Sequence, residues 1–254
     1  MFNIDLLQSN LKTQYLGKKN YYYSTTSSTN DDIWKVFKET KREGIVIVAN
    51  EQLNGRGRED KKWFSKKNKS LICSFLIKQN FSTEKLGLHA ILIPVGIILG
   101  IEKTINKSLN IKWPNDIIFK NQKVCGILIE TKKYNKSLYL NIGFGINVNE
   151  NKNDFPKLIQ KHATSLKIIY GQEIQRENLL ANILNCIDKL LLEKTDKKII
   201  NAWQKYCPHI NQSINIKYNN KIINATFIRL NNNGQAIVNY KNQEIIYDGA
   251  ILNT

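Results

Sequence analysis

Residues Gln52-Leu53-Asn54-Gly55-Arg56-Gly57-Arg58-Glu59-Asp60-Lys61-Lys62-Trp63 come just after a purely apolar run, Ile45 to Ala49, that reads as a buried strand. Two glycines alternate with two arginines, and an aromatic anchor follows five residues after Arg58. Gly55 and Gly57 let the backbone take positive φ and come close to a ligand. Arginine guanidinium groups are forked donors suited to phosphate or carboxylate oxygens, and their charge does not titrate away. The segment reads as a loop able to close over an anionic ligand. A solvated basic loop has the same local sequence, so the rest of the chain has to decide between the two.

The chain has 254 residues, of which 42% are hydrophobic, enough for one large domain and a small one. Met1 to Asn20 lacks the apolar block of a signal peptide. The longest uncharged run, Leu86 to Ile101, is 16 residues and contains Pro94, Gly96 and Gly100. A membrane span needs about 20 predominantly apolar residues, so a buried helix and a soluble protein are expected. Cys73, Cys125, Cys186 and Cys207 show no C-x-x-C spacing and sit in or beside apolar stretches, which fits a reducing cytoplasm. His89, His162 and His209 are too dispersed to suggest a metal cluster.

The formal charge is +17, and 33 of the 38 basic residues are lysine, alongside 33 asparagines. Lysine and asparagine enriched together along the whole chain read as a compositional bias, not a nucleic-acid patch. Such a field still speeds encounter with an acidic macromolecule.

Tyr21-Tyr22-Tyr23 reads as a strand, and Ile33, Val36 and Phe37 have helical spacing. Thr29 or Asn30 is the expected N-cap, and Asp31 and Asp32 suit the first turn. Ser28-Thr29-Asn30 reads either as this cap or as a set of groups that bonds a polar ligand. Strands are predicted at Ser70–Ile77, Lys123–Glu130 and Leu138–Ile142, and a buried helix over Leu86–Ile105. Pro114 restricts Trp113 and presents Asn115 and Asp116 at a kink, either as an ordinary turn or as oxygen ligands near phosphates. Gly143-Phe144-Gly145-Ile146-Asn147 allows a second close backbone approach. Ala163-Thr164-Ser165-Leu166 opens or caps a helix, and Leu179 to Leu191 is amphipathic. After Cys207-Pro208 the chain changes to short β-rich runs with asparagine-rich turns, a meander suited to a small barrel.

Taken in order, Ser28-Thr29-Asn30, Gly55-Arg56-Gly57-Arg58 with Trp63-Phe64-Ser65, Lys112-Trp113-Pro114-Asn115-Asp116, Lys123 with Gly126-Ile127-Leu128-Ile129-Glu130, and Gly143-x-Gly145-Ile146-Asn147 resemble the biotin–protein ligases. The resemblance runs from about residue 20 to the carboxyl end. It implies an α+β chain, with a class II aminoacyl-tRNA-synthetase-like catalytic domain over residues 1–208 and a small SH3-like β barrel over residues 209–254. It also implies a two-step reaction, in which biotin and ATP give biotinyl-5′-AMP and the biotinyl group then passes to a lysine of a biotin carboxyl carrier protein.

By the same resemblance, Ser28, Thr29, Asn30 and Gln52 hydrogen-bond biotin, with Gly126, Gly143 and Gly145 beside it. Gly55, Arg56, Gly57 and Arg58 form the loop that closes over biotin and the adenylate. Lys123 sits at the carboxylate, with Arg58 and Asp116 as its catalytic companions. Arg58, Trp63, Lys112, Asn115, Asp116 and Asn147 handle ATP, and Asp116 is the candidate Mg²⁺ ligand. The expected partners are the carrier protein and the two small molecules, without specific DNA binding or a membrane, and the chain is expected to be a monomer or a homodimer. About 27 residues precede Ser28, too few for the amino-terminal DNA-binding domain of some relatives, so a monofunctional ligase is expected. Asp60 and Lys61 stand where the family pattern has glycine and arginine, which implies weaker retention of the adenylate. Lipoate–protein ligase is the alternative within the same superfamily, and a non-catalytic nucleic-acid-binding protein is the alternative outside it.

Overall fold

The computed structural model describes residues 2–59, 61–79, 86–193 and 196–252, so the Asp60 departure lies outside the described residues. A short helix α1 (Ile4–Asn10) precedes β1 (Lys19–Tyr23), α2 (Thr29–Thr40), β2 (Ile45–Ala49) and β3 (Leu71–Lys78). There follow α3 (Leu86–Ile105), β4 (Asn110–Lys112), β5 (Asp116–Phe119), β6 (Gln122–Tyr134) and β7 (Ser137–Ile146). Three helices come next, α4 (Leu166–Tyr170), α5 (Arg176–Glu193) and α6 (Asp196–Tyr206). The chain closes with β8 (Ser213–Tyr218), β9 (Lys221–Leu230), β10 (Ala236–Tyr240) and β11 (Gln243–Tyr247).

The first seven strands form one mixed sheet in the order β1-β2-β3-β7-β6-β5-β4. β1 and β2 are parallel and joined by α2, and the remaining neighbours are antiparallel. β2 is buried at all five positions because both faces are covered. Ile45 and Ile47 pack with Leu76 under Ile33, Val36 and Phe37 of α2. Val46 and Val48 join the larger core on the other face with α3 and α5. A continuous β-branched run is what such a doubly covered strand requires.

Helix α3 is apolar all round and forms the centre of that core, as expected for Leu86–Ile105. It is long and apolar enough to cross a membrane, but here its apolar surface is spent on protein contacts. At Gly100 an added β-carbon would lie 2.5 Å from the Ile183 Cα, so α5 approaches the backbone of α3 directly. From α5, the buried Asp188 carboxylate accepts the backbone N–H groups of Gln14, Tyr15 and Leu16 at 2.7, 3.1 and 2.7 Å. Residues 14–16, in a stretch that carries no sequence pattern, are thus held by a carboxylate more than 170 positions away.

The carboxyl-terminal strands make a second, four-stranded antiparallel sheet in the order β11-β10-β9-β8, and Ile251 bridges back to Ile216. Trp113, Trp203 and Phe227 stack edge and face between the two sheets, with Trp113–Trp203 centroids 5.7 Å apart. Among the described residues, eight of the twelve positive-φ residues other than glycine are asparagine, including Asn121, Asn220 and Asn242 at the second position of two-residue hairpin turns. Asparagine tolerates that backbone, so the compositional bias is put to use in the turns.

Three local expectations are corrected. The N-cap of α2 is Ser28, not Thr29 or Asn30, and it makes no side-chain capping bond. Gly143 to Ile146 lies inside β7 and does not follow it. Asp116 is not held out at a kink but pairs in the ladder with Lys112 and Gly126, whereas Asn115 does sit in the turn.

Candidate active site

Helix α2 is too short to cover its face of the sheet. At its amino-terminal end, two rows of the sheet form the base of the site. Ser74, Gly143 and Leu128 form one row across β3, β7 and β6, and Ile72, Gly145 and Gly126 form the next. A cavity of about 430 Å³ stands on this floor. Its walls include the start of α2, the Gly-Arg loop, the β4–β5 turn and residues 249–252.

The glycines make room for protein side chains. A β-carbon on Gly143 would overlap the Asn30 carboxamide, and one on Gly145 would overlap the Trp63 indole. One on Gly126 would lie 3.0 Å from the Trp63 ring and 3.2 Å from Lys123 Nζ. The floor is therefore bare so that Asn30 and Trp63 can lie flat on it.

At the α2 end the cavity is polar and uncharged. Gln52 Oε1 accepts the Thr29 N–H at 2.9 Å and lies 3.2 Å from the Thr29 hydroxyl. The loop thus supplies the cap that Ser28 does not. Gln52 is set there by its bridge to Thr26, which prolongs the β1–β2 pairing into the loop. Ser74 Oγ donates within 2.7 Å of both Thr29 Oγ1 and Asn30 Oδ1. Asn141 Nδ2 donates to the Asn30 carbonyl at 2.8 Å. Asn30 is 5% exposed, and its Nδ2, like the Nε1 of Trp63, is buried with no hydrogen-bond partner. Leaving such donors unpaired costs about 1–3 kcal/mol each.

The opposite end is cationic. Lys123 pairs with Asp116 at 2.7 Å, and its ammonium lies 5.6 Å from the Trp63 ring centroid. Lys112 joins them from β4, and burial pushes its ammonium below the usual lysine range, against the pull of Asp116. Arg58 Nη1 reaches Asn115 Oδ1 at 3.4 Å, and the Asn115 carboxamide donates to the Ile127 carbonyl.

The loop itself is a small hairpin, with Gly57 N donating to Lys61 O at 2.6 Å and Trp63 N to Gly55 O at 2.9 Å. Gly55 is buried within that hairpin against Gln52 and Trp63 and does not line the cavity. Arg56 makes a forked pair with Asp31, both arms 2.8 Å, and a third contact to Glu130 at 3.1 Å. Asp31 is the main reason its charge is held above the usual arginine range. Arg56 therefore latches the loop to α2 and β6, while Arg58 and the lysines face the cavity.

Asn147, expected among the ATP ligands, does not line this cavity. It is buried, and its carboxamide donates to the carbonyls of Lys123 and Thr164 at 3.3 and 3.0 Å. It braces the chain behind Lys123. Among the described residues no three His, Cys, Asp or Glu side chains gather as a metal site. Asp116 is committed to Lys123, so the protein alone does not fit a resident Mg²⁺. The sequence reading missed Lys217, Tyr247 and residues 249–252, which line the cavity from the second sheet. Trp113 Nε1 holds that segment through the Gly249 carbonyl at 2.8 Å. No local signal marks such residues, because tertiary packing alone brings them in.

A family model for the biotin/lipoate A/B protein ligases matches residues 21–147, half of the chain and most of the cavity. The bifunctional ligase/repressor BirA of Bacillus subtilis is 33% identical over 180 residues, which covers 70% of this chain and 55% of that protein. Human biotin–protein ligase is 24% identical over 232 residues, which covers 85% of this chain and 31% of that protein. This chain thus spans about half, or less, of the length of these curated relatives. Among solved structures, biotin protein ligase from Aquifex aeolicus in complex with biotin and ATP superposes with a TM-score of 0.79 at 25% identity. That match covers 92% of this chain and 98% of the Aquifex chain.

Proposed function

The chain belongs to the biotin/lipoate A/B protein ligase family, and we propose that it uses ATP to join biotin to a lysine of a biotin carboxyl carrier protein. One observation carries the choice of biotin. The cavity changes from an uncharged hydrogen-bonding end with an unpartnered Asn30 amide, across apolar Ile72 and Leu128, to the cationic group of Lys123, Lys112 and Arg58. A ureido ring, an apolar body and a carboxylate, in that order, match this gradient. The dithiolane ring of lipoate would leave the amide end unsatisfied, which disfavours it.

In this reading Ser28, Thr29, Asn30 and Gln52 bind the ureido group, and the sulfur ring lies on the glycine floor beside Trp63. The carboxylate of biotin reaches Lys123. A carboxylate oxygen attacks the α-phosphorus of ATP, pyrophosphate leaves, and Lys123, Lys112 and Arg58 offset the charge that two anions bring together. Asp116 holds Lys123 in position for this. The amine of the acceptor lysine then attacks the acyl carbon, loses its proton, and displaces AMP. The Gly-Arg loop and residues 249–252 keep water from the mixed anhydride in the interval. Mg²⁺ would enter with the ATP phosphates and offset part of their charge.

The finer architecture is proposed in the same sense, with a class II synthetase-like domain over residues 1–208 and an SH3-like barrel over residues 209–254. The Ile216–Ile251 bridge, which turns the last segment back onto β8, supports that barrel. A cytoplasmic location and a monomer or homodimer are part of this reading. The four cysteines, all buried and unpaired, fit a reducing compartment.

ATP–pyrophosphate exchange is the test. Exchange that depends on biotin, is absent with lipoate and is lost in Lys123→Ala supports the assignment. Exchange with lipoate alone overturns the choice of acid, and no exchange with either overturns the activity.

A further inference from the structure

We infer that Arg176, the first residue of α5, is a positioning residue that ties the two ends of the Gly-Arg loop together and so sets how tightly the loop closes over the cavity. The loop leaves β2 at Asn50 and returns to β3 at Ser70. Arg176 Nη1 donates to Asn50 Oδ1 at 3.2 Å and to the Ser70 carbonyl at 2.9 Å. A single guanidinium nitrogen therefore spans both hinges. The hinges are also joined directly, with Asn50 Nδ2 donating to Asn68 Oδ1 at 2.9 Å.

The cluster is built, not incidental. Asn50, Ser70 and Arg176 are 4%, 0% and 7% exposed. Ser70 Oγ accepts the Lys66 N–H at 2.7 Å and donates to the buried carboxylate of Glu150. The Arg176 guanidinium also lies 5.8 Å from the Phe2 ring centroid. A buried arginine is costly unless its donors are satisfied, and two of its acceptors here are the loop's two ends. Opening one hinge without the other would leave that charge short of a partner. The clamp thus favours a loop whose hinges move together.

Between the hinges, the latch formed by Arg56 on Asp31 is exposed, and such solvent-screened pairs hold only weakly. The outer latch can release while the buried clamp stays shut. Arg176 is far in sequence from every motif that touches the cavity, and it touches no residue proposed to meet biotin or ATP. Its effect on the reaction passes through the loop. That last step rests on the ligase reading, but the clamp itself does not.

Hydrogen exchange of the protein alone tests the clamp. In Arg176→Met, amides of residues 52–59 and 61–64 are expected to exchange about tenfold faster, while α3 and β7 keep wild-type protection. Arg176→Lys is expected to lie between the two, and Asn50→Ala, which removes one arm and keeps the charge, to loosen the same residues. These two variants decide the matter if Arg176→Met does not fold. Unchanged loop exchange, or faster exchange spread over the whole chain, overturns the clamp. In ATP–pyrophosphate exchange the loosened variants should raise KM for biotin several-fold and release more biotinyl-AMP, with kcat within about twofold of wild type. An equal fall in kcat without a change in KM or release overturns the link to the loop. A wild-type protein that ignores biotin overturns the ligase reading, and the exchange of the loop amides still decides the clamp.

Discussion

Gly126 on β6 and Gly145 on β7 face each other across the ladder, and the indole of Trp63 lies on both. A methyl group at Gly145 has no space unless the indole lifts, whereas one at Gly126 would press only lightly on the indole and on Lys123. Gly145→Ala is therefore expected to fold, because the clash can be relieved by moving a partly exposed loop residue. The lifted indole should weaken biotin binding about tenfold, within the 1–3 kcal/mol range of an overpacked site. Isothermal titration with biotin, beside near-ultraviolet circular dichroism, checks both halves.

The Arg56–Asp31 pair should matter for closure and hardly at all for stability. Both side chains are about 40% exposed, at 42% and 39%, where ion pairs contribute about 0–1 kcal/mol. Asp31→Ala should leave the melting temperature within about 2 °C and raise the rate at which biotinyl-AMP escapes. Raising salt from low to physiological levels should do the same to wild type and little to the variant. A quenched-flow measurement of free adenylate reads the difference.

His89 predicts acid sensitivity. It is 2% exposed on α3, and burial lowers its pKa from 6.5 to about 4. The unfolded chain therefore binds a proton below pH 6.5 that the folded chain refuses until about pH 4. Stability is complete above pH 6.5 and falls as the pH drops through that window, by about 2 kcal/mol between pH 7.5 and 5. Glu150 acts in the opposite sense, because burial raises its pKa and protonation relieves the folded chain as the pH falls through that raised value. Urea melts at a series of pH values should show the loss for wild type and a flatter profile for His89→Gln.

Much of this was legible in the sequence, and the gaps have physical causes. Ile45 to Ala49 and Leu86 to Ile105 read correctly because burial on every side leaves an unbroken apolar signature. Arg56, Gly57, Arg58 and Lys123, singled out for charge and glycine that are rare in a core, do line the cavity. Helix α1 escaped notice since the bonds that anchor its two ends come from Glu177 and Asn185, which lie at least 174 positions away. The motif glycines were found, but local sequence could not tell that Asn30 and Trp63 would occupy the space above them. Asn147 misled for the same reason, since a conspicuous amide beside a glycine motif turned out to brace the backbone.

Trp203 joins the two sheets, so its loss should be felt by both. It is fully buried against Trp113 and Phe227. Trp203→Ala should cost about 3–5 kcal/mol, and the chain should still unfold in a single transition because one core runs through both sheets. Differential scanning calorimetry that resolves two transitions would contradict this.

The ammonium of Lys123 hangs 5.6 Å above the ring of Trp63, next to the proposed seat of the carboxylate. An anion that draws the lysine away removes a positive charge from the field of that indole. Of the other three tryptophans, Trp34 and Trp203 do not line the cavity, and Trp113, which does, is 6% exposed and packed edge-on against Trp203. The chain therefore carries its own optical reporter, and the colour of its emission reads out the occupancy of the cavity without a label.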